Sequence, residues 1–235
     1  MTLREQDTPP PAPPTLTPAQ RRRDRERAAA RATILSAALD VARRDGWDAV
    51  TMRRLAGEIE YSANFAYRYF TGRDDILRTL VREAFARLRE AMATASQQTE
   101  PDSDSGSTTR MSSTDASSAA AARVRRAGHA YLDFALTHPD LYQLMYGLGG
   151  VRVPATDAWT EGQAIGNIMS ELLSAAGDTR AEQHVLQLWA TAHGLIALLV
   201  VGRVDVDASE LHALFEDALT DCLTRALPGP ETARA

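Results

Sequence analysis

The sequence contains no lysine; all 26 of its basic residues are arginine. Genomic base composition explains such a bias as readily as function does, so it carries no functional weight. It has a single cysteine, Cys222, which excludes an intramolecular disulfide framework and a multi-cysteine zinc site. Long apolar runs are missing too. The longest, GLIALLVVG at 194–202, is far short of the ~20 residues of a membrane span, and a proline-rich start leaves no apolar stretch for a secretory signal. Strand-like alternation and internal repeats are also lacking. An intracellular, cytoplasmic, all-α protein without a membrane partner is expected.

Signatures of catalysis are equally scarce. The histidines at 129, 138, 184, 193 and 212 make no HExxH or comparable ligand spacing. The GLGG stretch is not followed by GK[ST], and no G-x-S-x-G elbow occurs. No enzyme, cofactor or metal is expected; an all-α ligand-binding enzyme has no positive feature behind it.

What is present is an uneven charge distribution. Residues 1–95 hold 17 arginines against 13 acids, whereas residues 96–235 hold 9 against 18. A basic front half on a chain of net charge −5 points to an anionic partner at that end. Residues 1–20 form a proline-rich tail expected to be disordered. A basic arm at 21–31, RRRDRERAAAR, brings Arg21, Arg22, Arg23, Arg25 and Arg27 together. It reads either as a solvated helical extension with internal ion pairs or as an arm on DNA, along the backbone or in a minor groove; DNA contact is favoured. Residues 96–118 are a polar Ser/Thr/Asp-rich insert expected to be mobile, and 228–235 form a tail. About nine helices account for the rest.

Two short helices, near 51–59 and 62–69, have the dimensions of a helix-turn-helix. In such a motif the second helix enters the major groove. Ser62 and Ala63 allow close approach, Asn64 has the donor and acceptor that adenine requires, and Phe65 suits a thymine methyl. Tyr67, Arg68, Tyr69 and Arg73 are expected on the DNA backbone, with Arg53 and Arg54 nearby and Thr51 opening a helix whose N-terminus favours phosphate. Phe70, Ala66 and Tyr61 are expected in the core.

The stretch from Ala32 to Leu80 resembles the DNA-binding domain of TetR-type transcriptional regulators. The resemblance is carried by ILSAALDVARRDGWDAVTM, Leu55-Ala56, Ser62 and the closing YRYFTGRDDIL. Three positions depart from the family pattern: Glu60 stands where a turn glycine is usual, Asn64 replaces a small residue, and Arg73 replaces a lysine. YLDFALTHPDLYQLMYG with WATAHG is similar to a subclass marked by a tryptophan and a His-Gly pair, here Trp189, His193 and Gly194. The resemblance implies a homodimer on double-stranded operator DNA, most simply a repressor, with a small-molecule effector in a C-terminal domain at 119–227. A connecting helix at 81–95 precedes the insert.

Candidate pocket residues are Tyr131, Phe134, Tyr142, Met145, Tyr146, Trp159, Met169, Trp189 and His193, apolar walls with a few polar handles. Leu211, Phe215, Leu219 and Cys222 stripe the last helix. Leu188, Leu195 and Leu199 belong to a helix so apolar that burial on all sides is expected. These two helices are the expected dimer interface, with packing inside one subunit as the alternative. A helical protein-interaction adaptor without sequence-specific DNA binding is the runner-up function.

Overall fold

Thr17 opens the first helix. Its hydroxyl accepts from the Gln20 amide while the Gln20 side chain accepts from the Thr17 amide, and Pro18 fills the first turn. From there α1 (Pro18–Asp45) runs 28 residues without a break. The basic segment is therefore the front of this helix, continuous with the part that packs. The computed structural model describes residues 17–98, 113–150 and 155–227; of the tail expected over 1–20, residues 17–20 instead cap and begin α1, because Thr17 and Gln20 form a capping box, while 1–16 and the C-terminal tail lie outside the described residues. Nine α-helices and two short 3-10 turns, with no strand, make up the described residues.

The N-terminal head comprises α1, a 3-10 turn at Trp47–Ala49, α2 (Met52–Glu58), α3 (Ala63–Tyr67) and the start of α4 (Arg73–Gln97). Ile34, Ala38 and Val41 of α1 meet Leu55, Ala66, Phe70, Ile76 and Leu77, all nearly or fully buried. Ala66 and Phe70 lie inside as expected. Tyr61 does not: it is 55% exposed, because the turn that carries it bends away from the core.

α4 continues out of the head as the spine of the second domain, packing against α5 (Ser113–Thr137), α6 (Pro139–Tyr146) and α7 (Ala155–Ala175). Two arginines of α5 close its end, Arg123 donating to the Ser96 carbonyl and Arg126 to that of Ala95. They bind carbonyls of the last turn of α4, Ala95 accepting from the Gln98 amide as well. The expected insert is thus shorter than its composition implied: α4 keeps Ser96 and Gln97, Ser113 already belongs to α5, and residues 99–112 lie outside the described residues. The alanine run at 119–122 supplies the helix propensity that draws α5 forward.

α8 (Ala181–Val200) and α9 (Ala208–Ala226) complete the domain. α9 starts on a capping box between Asp207 and Glu210. It crosses α5 closely at Gly128, where an added Cβ would come within 3.0 Å of the Phe215 ring. Leu211, Phe215, Leu219 and Cys222 are buried by this crossing, and Leu188 by its own subunit. Offered as interface residues, these five are core of one protomer. Leu195 and Leu199 are half-buried against the same core. α8 is long and apolar enough to cross a membrane by length and composition, yet only 22% of that window is buried. Ala181, His184, Leu188, Ala192 and Ile196 form its one core-facing stripe; burial on all sides is not what the protomer provides.

Candidate nucleic-acid interface and aromatic cluster

The unit α2–turn–α3 is built from its caps. The Thr51 hydroxyl accepts from the Arg54 amide and starts α2. At the other end the Tyr61 amide donates to the Ala56 carbonyl and the Glu60 amide to that of Gly57, a Schellman closure with Glu60 in the left-handed region at φ 56°. Glu60 is the single non-glycine residue with positive φ among those described. The turn that glycine would make freely is kept here at a cost of about 1 kcal/mol. α3 therefore leaves the turn as it would with glycine.

On α3, Asn64, Tyr67 and Arg68 are exposed, with Tyr67 55% so, while Ala66 beneath them is fully buried. Ser62 is exposed and its side chain makes no capping bond. The side chain of Ala63 lies outside the described residues. Phe65 departs from its expected role. Its ring is half-buried, stacked on Tyr61 at 4.1 Å between centroids and tilted against Tyr69 at 5.1 Å. It holds the turn to the helix instead of presenting itself to a base, and Tyr61 is the ring left outside.

The arginines divide in the same way. Arg53 is exposed, and Arg54 is exposed but bonded to Asp45 at 2.9 Å. Arg73 is turned inward: Nε donates to the Val50 carbonyl at 2.9 Å and Nη2 to that of Trp47 at 3.0 Å. It clamps the loop before α2, so its expected place on the DNA backbone is a correction. Arg31, not singled out by sequence, donates to the Tyr69 carbonyl at 2.6 Å and lies 4.1 Å over the Phe70 ring. It fastens α1 to the end of α3.

In the C-terminal domain Tyr131, Tyr142, Tyr146 and His193 converge. The Tyr131 hydroxyl donates to Tyr146 at 3.2 Å; Tyr131 and Tyr142 are 2.9 Å apart, and Tyr142 is 2.8 Å from His193 Nδ1. Each hydroxyl has one proton, so a Tyr131→Tyr146 bond sets the direction of the whole relay. His193 donates to Tyr142, Tyr142 to Tyr131, Tyr131 to Tyr146, and the Tyr146 proton is left over as a donor. Burial pushes all three phenols up and His193 down, so the relay is uncharged near neutral pH. Trp189 borders it at 36% exposure. Phe134, Met145 and Met169 are buried, and the Trp159 side chain lies outside the described residues.

A second polar chain ties α5 to α9. Asp133, His212, His129 and Glu216 follow one another at 3.0, 2.8 and 2.7 Å, with Arg125 paired to Glu216. Both Nε2 atoms face carboxylates, and the two Nδ1 atoms face each other. His129 is held below its ordinary value near 6.5, first by burial and then by the neighbouring His212. A depressed histidine contributes stability that is full above the unfolded value and is lost as pH falls through the folded one. Thermal melts from pH 7 to 5 should show a falling Tm, with a shallower fall in His129→Gln. An unchanged slope in that variant would show that this seam does not drive the acid sensitivity.

Comparison with known proteins settles the architecture. Residues 34–80 match the family described as "Bacterial regulatory proteins, tetR family", and residues 124–222 match "Tetracyclin repressor-like, C-terminal domain". Between them the two matches span more than half of the chain. The chain belongs to the TetR family. No curated protein matches it. Among solved structures it resembles a protein of unknown function from Rhodococcus sp. RHA1, with 26% identity over 84% of this chain and 95% of that one and a TM-score of 0.65. SCO4454, a TetR-family transcriptional regulator from Streptomyces coelicolor, aligns over 91% and 97% at 18% identity with a TM-score of 0.64. A TetR-family regulatory protein from Rhodococcus RHA1 aligns over 84% and 97% at 16% with a TM-score of 0.58. The last two likenesses are of fold alone.

Within the TetR frame the head is the DNA-binding unit, and α2–turn–α3 is its helix-turn-helix. The tryptophan and His-Gly pair that suggested a subclass sit on α8, where Trp189 and His193 lie 5.8 Å apart at the edge of the tyrosine relay. Sequence reasoning found those rings by residue type but missed Arg31 and the His129–His212 chain. Helical spacing was the available signal: positions 125, 129 and 133 share one face of α5, and 212 and 216 one face of α9.

Proposed function

We propose that this TetR-family protein is a homodimeric transcriptional repressor, released from its operator by a small, largely apolar effector in the C-terminal domain. The observation that carries the DNA reading is the exposed face of α3. Asn64, Tyr67 and Arg68 stand on a helix anchored from below by Ala66 and Phe70. Asn64 pairs with adenine, while Ser62, Tyr67, Arg68 and Arg53 position the head on phosphates. Pairing of two heads follows from α8 and α9, whose outer faces leave Leu186, Trp189, Leu198, Val201 and Leu214 exposed. A second copy related by a two-fold axis covers them and places two recognition helices about one turn of DNA apart.

The effector reading rests on α6. One side of this short helix carries Tyr142 and Tyr146 of the relay. Asp140, at its start, holds Arg43 of α1 at 3.1 Å, and the Tyr146 ring meets Phe85 of α4 at 5.8 Å. A ligand that takes the free Tyr146 proton with a carbonyl or carboxylate oxygen pulls on the element that touches both α1 and α4. It weakens DNA binding only by as much as it prefers the form whose heads are out of register.

Fluorescence anisotropy with DNA flanking the protein's own gene, against unrelated DNA, tests the docking. Asn64→Ala should relax preference at one base position by about 1–3 kcal/mol. Tyr67→Ala should weaken binding to every sequence alike. If both variants bind as wild type does, α3 is not the reading helix. A folded dimer that prefers no DNA at any salt would favour an adaptor role.

A further inference from the structure

The first three turns of α1 touch nothing. Every residue from Thr17 to Ala29 is exposed, and the first half-buried positions are Ala30 and Arg31. A helical segment without tertiary contacts has only local support, here the Thr17–Gln20 capping box and an Arg22–Glu26 pair at 3.6 Å. What it carries is charge: five arginines against Asp24 and Glu26 between positions 20 and 28. Its root is fixed, because Arg31 grips the Tyr69 carbonyl and the Phe70 ring at the C-terminal end of the recognition helix. The segment therefore projects from the edge of the surface that faces DNA.

We infer that Arg23 and Arg27, on the half of α1 that carries Arg31, form a phosphate-binding stripe along the DNA strand flanking each half-site, held out on a rigid helical rod. The inference rests on the DNA-binding reading and adds a second, sequence-independent contact to it. Steps of four residues separate Arg23, Arg27 and Arg31, so each lies ~6 Å farther along and turns only ~40° around the helix. Arg22 and Arg25 point to the other half. A helix with its side chains is about 10–12 Å across, whereas the minor groove is about 6 Å wide, so the rod does not enter it as an extended arm would. It lies across the backbone, where arginine displaces condensed counterions.

The test uses the full chain and a duplex selected by the wild-type protein from a random-sequence pool, in two lengths. One ends at the half-sites, and the other adds about ten base pairs on each side, roughly one helical turn. With two phosphates held per subunit, R23A/R27A should lower affinity for the long duplex by at least ~10-fold and reduce the salt slope of the dimer by about 3–4. It should leave the short duplex unaffected. R22A/R25A removes the same charge from the other half and should change affinity less than ~2-fold. Ala28→Pro keeps every charge but breaks the rod, and should behave like R23A/R27A on the long duplex. Equal losses from both arginine pairs would overturn the stripe in favour of diffuse attraction. Full affinity in R23A/R27A would show that the rod does not touch DNA, and full affinity in Ala28→Pro would overturn its rigidity. Failure to select any duplex would instead remove the DNA reading itself.

Discussion

Phe70→Ala is expected to destabilise the head by about 3–5 kcal/mol and to abolish operator binding. The ring is 2% exposed and sits where α3 ends and the chain turns toward α4. Its removal leaves a cavity among Ala66, Leu77 and the buried face of α1, which packed helices relax into only in part. It also deprives Arg31 of the face over which its guanidinium lies at 4.1 Å, a contact of about 1–2 kcal/mol when partly desolvated. The loss is a large fraction of a typical domain stability of about 5–15 kcal/mol. Urea unfolding followed by far-UV circular dichroism, beside anisotropy with operator DNA, measures both effects. A loss under about 1 kcal/mol would mean that Phe70 is not the keystone its burial implies.

Helices were legible because periodic apolar residues and terminal residues coincide: Thr51 caps α2, and Gly46 stops α1. The basic segment 21–31 was harder. Six arginines suggest an independent arm, yet arginine and alanine are good helix formers, and with Thr17 and Gln20 to start the helix nothing interrupts it before Gly46. Within YSANFAYRYF, composition announces an aromatic cluster but not which ring turns inward. That is decided by the Schellman closure at Glu60, which swings Tyr61 outward to stack on Phe65. Arg73 shows the same limit. A basic residue beside a DNA-binding motif suggests a phosphate contact, and only the nearby carbonyls of Trp47 and Val50 reveal a clamp.

The two ends of the proposed dimer face show why apolar stripes mislead most on α8 and α9. A stripe identifies the face that packs, and packing inside the subunit has first claim on it; the partner is left with what remains. Leu198→Glu combined with Val201→Glu therefore acts where Leu211 does not. These positions are 44% and 54% exposed in the protomer, whereas Leu211 is fully buried. Two-fold symmetry doubles every change, so two lost apolar contacts per subunit, each worth about 1.5–3 kcal/mol when buried, bring four carboxylates into one interface. The expected result is a folded monomer, with dimer dissociation raised by at least ~10³-fold and operator affinity falling by ~10²–10⁴ as the linked second head is lost. Leu211→Ala should do the reverse, costing about 2–5 kcal/mol of stability while the surviving folded protein stays dimeric. Sedimentation equilibrium with thermal melts separates the two, and a double glutamate variant that remains a dimer would move the interface off α8.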